Sequence, residues 1–327
     1  MEDPAGGNWR GADWATRLVG TITQIQAPKE RASLISDRSR EHISQNIPPD
    51  AKSNLATNLG LGVSSWKDGQ ANATIRLSSE QTESDGSVPF GSLAAIADNN
   101  NATANINSAN WNDNSILIEV AYQATRAARG TVEVRSFNSA YNELMGISQG
   151  VMLDDEGPFG QCQSTSVTVP GRPMLAGHGF ESRGLDELPQ VDHVSFPWES
   201  DLTPAPIDVY LKGGLRLIEG GAIYTSQLDS GWTSGYGSLH GGAIGLLVTR
   251  AMRYAAIAMS PANVEQVPIS FNINYVRPAM VVPEPIQAVA RVVALTTRFC
   301  TLEGELILPS GKPASRCRVI HRLVPRD

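Results

Sequence analysis

The chain has 327 residues, 41% of them hydrophobic, and a formal net charge of −7. The length suits two ordinary domains with substantial cores, and the acidic balance argues against a general nucleic-acid binder or a protein attached to an anionic membrane surface. Three cysteines, Cys162, Cys300 and Cys317, are too few for a disulfide framework and lack metal-site spacing, so no metal is expected and a reducing compartment is.

The N-terminus is acidic without an apolar run, so it does not read as a signal peptide. Residues 1–50 read as a helical lead-in, with helical stretches over Trp14–Gln26 and Lys29–Ile43 ended by Pro48-Pro49. Residues 51–170 form a first unit. It begins with two alternating stretches, Leu59–Val63 and Ala71–Leu77, around the turn Trp66-Lys67-Asp68-Gly69. Then come Val88-Pro89-Phe90-Gly91-Ser92, an apolar run through Ile96, and a further alternating stretch at Ile116–Tyr122. Residues 171–206 are proline-rich and aperiodic, which fits a strap between two packed halves.

Residues 207–327 repeat the first pattern. Leu211–Leu217 and Ala222–Ser226 flank a glycine turn, and Leu239-His240-Gly241-Gly242 then opens an apolar run. Ile244, Leu247, Val248, Ala251, Ala255 and Ala258 recur at helical spacing, which predicts a helix over Gly241–Met259 that stops at Ser260-Pro261. Arg250 and Arg253 interrupt it, so it does not read as a membrane span. Strands follow at Pro268–Val276, Ile286–Leu295, Phe299–Leu308 and Ala314–Leu323, with a hairpin turn at Pro309-Ser310-Gly311-Lys312. Two tandem copies of one unit account for the order, and aligning Phe90 with His240 puts them 150 residues apart. The class is α+β, each copy an antiparallel sheet wrapped around one helix. Taken together, the composition reads as a soluble cytoplasmic protein.

The glycine-turn hairpin, His240-Gly241-Gly242, the long helix, Phe271-Asn272-Ile273-Asn274-Tyr275-Val276-Arg277-Pro278 and the closing Gly311-Lys312-Pro313-Ala314 turn resemble the hotdog fold. The residues resemble the acyl-CoA thioesterase superfamily of the phenylacetate-pathway type, in a tandem double-hotdog form. The resemblance implies an acyl-CoA or other acyl-thioester substrate, no cofactor beyond the coenzyme A of the substrate, and further assembly into a homo-oligomer. It also implies that a helix start of one unit faces a carboxylate on the helix of the other, nine residues after the histidine. In the 150-residue alignment those places hold Thr249 and Asn99, and Asp98 beside Asn99 is the only acid on either central helix.

The two copies therefore complement each other. The second keeps His240-Gly241-Gly242 and the first keeps Asp98. One composite site is expected, with Asp98 as general base or nucleophile, Gly241 and Gly242 N–H groups as oxyanion donors, and His240 placing the acyl end. Asn99 would orient a water or the carbonyl. Thr249, Phe90, Tyr236 and Arg277 are candidate substrate contacts, and Phe90 with Thr249 would mark an inactive counterpart site. The run Asp98-Asn99-Asn100-Asn101 also permits a plainer reading, the end of a short helix, because Asn and Asp favour caps and turns. A hotdog dehydratase or hydratase and a non-catalytic acyl-binding or scaffold protein are the alternatives in function.

Overall fold

A computed structural model describes residues 58–67, 69–106, 114–142, 144–169, 194–234, 238–280, 282 and 284–326. The expected lead-in helices before residue 50 and most of the proline-rich strap lie outside the described residues.

Thirteen strands form one continuous sheet. In chain order they are β1 (Leu61–Lys67), β2 (Gln70–Ile75), β3 (Asn114–Ala124), β4 (Val132–Tyr141), β5 (Met145–Asp154), β6 (Gly157–Val169), β7 (Trp198–Glu199), β8 (Gly214–Ile218), β9 (Gly221–Ser226), β10 (Val264–Tyr275), β11 (Ile286–Leu295), β12 (Phe299–Ile307) and β13 (Pro313–Pro325). The helices are α1 (Phe90–Ile106), the short α2 (Pro206–Tyr210) and α3 (Gly241–Met259). Across the sheet the order is β1-β2-β4-β5-β6-β3-β10-β13-β12-β11-β9-β8-β7. Apart from the two-residue β7, which pairs parallel to β8, the order of connections is the same from either edge. The halves meet where β3 pairs antiparallel with β10, Ala121 opposite Asn272.

Each half curls around its own long helix, and the two helices pack against each other. In α3 the apolar face is buried as far as Ala255: Ile244, Leu247, Val248, Ala251 and Ala255 are buried, and Ala258 in the last turn is exposed. By length and composition alone α3 is long and apolar enough to cross a membrane, and most of it is buried inside the protein. His240 caps its start and Ser260-Pro261 ends it.

The first helix has a polar underside. Asn100 Nδ2 donates to Ala71 O (2.9 Å), Val134 O (2.9 Å) and Ser136 Oγ (2.8 Å). Asn101 accepts from Ser136 Oγ at 2.6 Å, and Asn105 donates to Ser166 Oγ at 3.0 Å. These amides fasten α1 to its sheet where α3 uses apolar contacts, and their N–H groups find partners there as burial demands, while Asn100 Oδ1 is buried without one among the described residues. The helix therefore continues through the asparagine run to Ile106. The plainer alternative, in which this run closes a short helix, does not hold.

Candidate active site

The helix starts set the true register between the two units. The N–H of Ser92 bonds Pro89 O at 2.8 Å, and the N–H of Ala243 bonds His240 O at 2.9 Å. A Cβ on Gly91 would lie 2.5 Å from Leu246 Cα, and one on Gly242 would lie 2.3 Å from Ala95 Cα. Both relations pair residues 151 apart, not 150. His240 therefore corresponds to Pro89 and Thr249 to Asp98. Asp98 thus sits nine residues after the counterpart of the histidine, in the register that the resemblance implies. The one-residue departure came from matching one ring, Phe90, to another.

This register brings Asp98 onto the start of α3. Its Oδ2 lies 3.1 Å from His240 Nδ1, and both side chains are largely buried. A Cβ on Gly241 would lie 2.5 Å from Asp98 Oδ2 and 2.6 Å from Tyr275 Oη. Three polar groups from three elements thus converge over a glycine that offers no side chain.

The N–H of Gly242 donates to His240 Nδ1 at 3.0 Å. One ring nitrogen cannot accept from Gly242 and donate to Asp98 in the same tautomer. The cap and the Asp98 pair are therefore alternatives. With Nδ1 bare, the histidine caps the helix and leaves the carboxylate to another donor. With Nδ1 protonated, it pairs Asp98 and releases the Gly242 N–H. The N–H groups of Ala243 and Ile244 both bond His240 O, so in the capped form Gly241 N–H is the donor of the first turn left without a partner among the described residues.

The other expected contacts separate. Asn99 is half-buried, one step of about 100° further round the helix from Asp98. Phe90 belongs to an aromatic cluster, its ring 4.5 Å from Tyr122, whose ring stacks on Phe271 at 4.7 Å. Thr249 Oγ1 turns back to its own helix, 2.9 Å from both Gly245 O and Leu246 O. Phe90 and Thr249 line a cavity of about 130 Å³ with Leu93, Met252, Arg253 and His321; Asp98, His240, Gly241 and Tyr275 do not line it. Arg277 is exposed and donates to Pro313 O. Tyr236 lies outside the described residues. Among the described residues no group of histidine, cysteine and carboxylate side chains could hold a metal.

Two further features have no counterpart in the sequence reading. One is Tyr275, whose hydroxyl is buried without a partner among the described residues. The alternation of β10 marks its inward face but not where a phenol ends. The other is a buried ion cluster. Arg250 Nε and Nη2 donate to the two oxygens of Asp208 at 2.7 and 2.6 Å, and Nη1 donates to Glu83. Burial raises the Asp208 carboxyl, but the Arg250 charge and hydrogen bonds hold it below its ordinary value.

Residues 228–321 match the family described as acyl-CoA thioesterase N-terminal domain. The match includes His240, Gly241 and Tyr275, stops short of Asp98, and does not single out the phenylacetate-pathway type. No curated protein matches the sequence. Among solved structures, the chain is similar to an acyl-CoA thioesterase II from Mycobacterium marinum, with 6% identity and a TM-score of 0.54 over 85% of this chain and 99% of that one. A hot dog fold protein of unknown function from Alicyclobacillus acidocaldarius has 13% identity and a TM-score of 0.55 over 85% and 100%. A tesB protein from Mycobacterium avium subs paratuberculosis has 10% identity and a TM-score of 0.53 over 84% and 98%. At such identities the likeness is one of fold. Residues 228–321 thus match an acyl-CoA thioesterase domain, and the fold of the chain is like that of the hot dog fold protein and the thioesterases named above.

Proposed function

We propose that the chain is two tandem hotdog domains that hydrolyse an acyl-CoA at one composite site, built from the start of α3 and Asp98 of α1. The observation that carries this reading is the approach of Asp98 Oδ2 to Gly241 and to His240 Nδ1. It places a carboxylate from one half beside an unspent helix-start N–H from the other.

The chemistry follows from that placement. The Gly241 N–H and the positive end of the helix dipole polarise the thioester carbonyl. Asp98 takes a proton from water as the water oxygen bonds the carbonyl carbon. The tetrahedral intermediate collapses, the C–S bond breaks, and the thiolate leaves and takes up a proton. His240 holds the helix start and alternates between capping it and pairing Asp98. Asn99 flanks the carboxylate, and the exposed Arg277 is available to a coenzyme A phosphate. No cofactor enters this scheme. The counterpart place carries Pro89 and Thr249, where there is neither an imidazole nor a carboxylate.

Free-thiol release from a panel of acyl-CoA esters tests the reading. The wild-type protein is expected to hydrolyse at least one ester, and Asp98→Asn to lose about 10²–10⁴-fold in kcat, the range of a general base. Full activity in Asp98→Asn would sink the composite site. A wild type that binds acyl-CoA but releases no thiol would leave an acyl-binding protein instead.

A further inference from the structure

We infer that Tyr275 is the second hydrogen-bond donor of this site, its hydroxyl joining the Gly241 N–H on the oxygen of the thioester carbonyl. The inference rests on the thioesterase reading above and adds a residue to it.

The first argument is a deficit. In the form in which His240 caps the helix, its ring accepts from Gly242 N–H, so the backbone of the first turn offers one donor, Gly241 N–H. A developing oxyanion has more than one lone pair to satisfy, and preorganised donors aimed at it are the largest single source of stabilisation in such sites.

The second argument is position. Tyr275 Oη and Asp98 Oδ2 lie 2.6 and 2.5 Å from the place that a Cβ on Gly241 would take. The hydroxyl is therefore on the same side of the Gly241 backbone as the carboxylate.

The third argument is a comparison within the molecule. Each half carries a tyrosine on the strand after its helix that reaches the start of that helix. In the first half, the Tyr122 hydroxyl donates to Phe90 O. In the second, the Tyr275 hydroxyl is fully buried with no partner among the described residues. A buried unpaired hydroxyl is costly. Such local violations concentrate at functional sites. Burial and the nearby Asp98 charge also hold this phenol protonated well above its ordinary range, so it remains a donor at neutral pH.

No covalent step is assigned to Tyr275. It donates a hydrogen bond that strengthens as the carbonyl oxygen gains charge, and it keeps its proton.

The test is Tyr275→Phe, assayed with the ester that the wild type turns over best, beside Asp98→Asn. Loss of one oxyanion donor is expected to lower kcat by about 10²–10³-fold with little change in KM. The melting temperature should stay level or rise, because the variant removes an unsatisfied buried hydroxyl; a purely structural tyrosine would lower it. An unchanged kcat in Tyr275→Phe, with Asp98→Asn inactive, overturns this inference and leaves the thioesterase reading standing. A wild type without thiol release ends both. If Tyr275→Phe does not fold, 3,5-difluorotyrosine at position 275 carries the test, since it keeps the shape and acidifies the hydroxyl. An alkaline limb of the kcat profile that moves to lower pH supports the role, and an unmoved limb overturns it.

Discussion

Asp98 Oδ2 lies 3.1 Å from His240 Nδ1, which ties the middle of α1 to the first turn of α3. Neither residue completes a site within its own half. Their contact predicts strongly non-additive kinetics. His240→Asn keeps a good N-cap residue while removing the imidazole. It should therefore reduce kcat while leaving the helix intact by circular dichroism. Adding Asp98→Asn should cost much less in the double variant than it does alone, as for residues that act as a unit. Strict additivity of the two losses would show that the contact has no part in turnover. Thr249→Val serves as the control at the counterpart position. The Thr249 hydroxyl is spent on its own helix, so its removal should leave kcat nearly unaltered.

Adjacent glycines should separate activity from stability. A Cβ at Gly241 would meet Asp98 Oδ2 at 2.5 Å and Tyr275 Oη at 2.6 Å, both ends of side chains. Gly241→Ala should fold and lose most of its turnover, because the methyl occupies the space where the polar groups converge. At Gly242 the Cβ would meet Ala95 Cα at 2.3 Å, which is backbone. Gly242→Ala must push the helices apart and should cost about 1–3 kcal/mol, as overpacking does. That cost exceeds the gain of about 1 kcal/mol expected for Gly→Ala in an open helix. Urea unfolding of the two variants beside their kcat values checks the contrast. Equal stabilities would refute it.

The second unit was readable from sequence because its chemistry is uniform. The helix was predicted over Gly241–Met259 and the strand over Ile286–Leu295, and both occur with those bounds. Apolar periodicity was sufficient there. The first unit hides its helix because Asn100, Asn101 and Asn105 bond the sheet in place of apolar packing. No periodicity rule registers an amide that is satisfied by a strand 30 residues away. The register between the units is hidden for a related reason. Phe90 looks like the ring of His240, but its ring packs in the core against Tyr122. The actual counterpart, Pro89, shares only the backbone role. Asp98 stands out in the sequence because it is the only acid on either central helix. Tyr275 does not, because a strand pattern fixes its face but not its reach.

Arg250 looked like an interruption of an apolar helix and is instead an anchor. It is buried and joins Asp208 of α2 to Glu83 of the first half. Removing one partner leaves buried charges uncompensated. Arg250→Met should cost about 3–5 kcal/mol. The triple change Arg250→Met, Asp208→Asn, Glu83→Gln should recover much of that loss, because no buried charge remains. Chemical denaturation of the three proteins decides it. A single variant as stable as wild type would mean that the cluster opens to water.

His321 predicts how stability varies with pH. Its side chain is 3% exposed and lines the cavity beside Arg253, Arg326, Glu265 and Glu83. Burial first, and then the Arg253 charge, push its pKa down to about 3 from the ordinary 6.5. The folded protein therefore keeps the ring neutral where the unfolded chain would protonate it. Below about pH 6.5 the unfolded state binds a proton that the folded state refuses, so stability falls as pH drops from there towards 3. The slope from this one group is at most about 1.4 kcal/mol per pH unit. Asp208 adds a second loss at lower pH. Its carboxyl is depressed in the folded state, so its stabilisation is present above the ordinary value of 3.8 and disappears as pH falls through the folded value. His321→Gln should flatten the decline between pH 6.5 and 4 and leave the steeper loss below pH 4 in place. Melting temperatures across pH 3–8 for the two proteins test this, and parallel curves would show that His321 already carries its proton in the folded state.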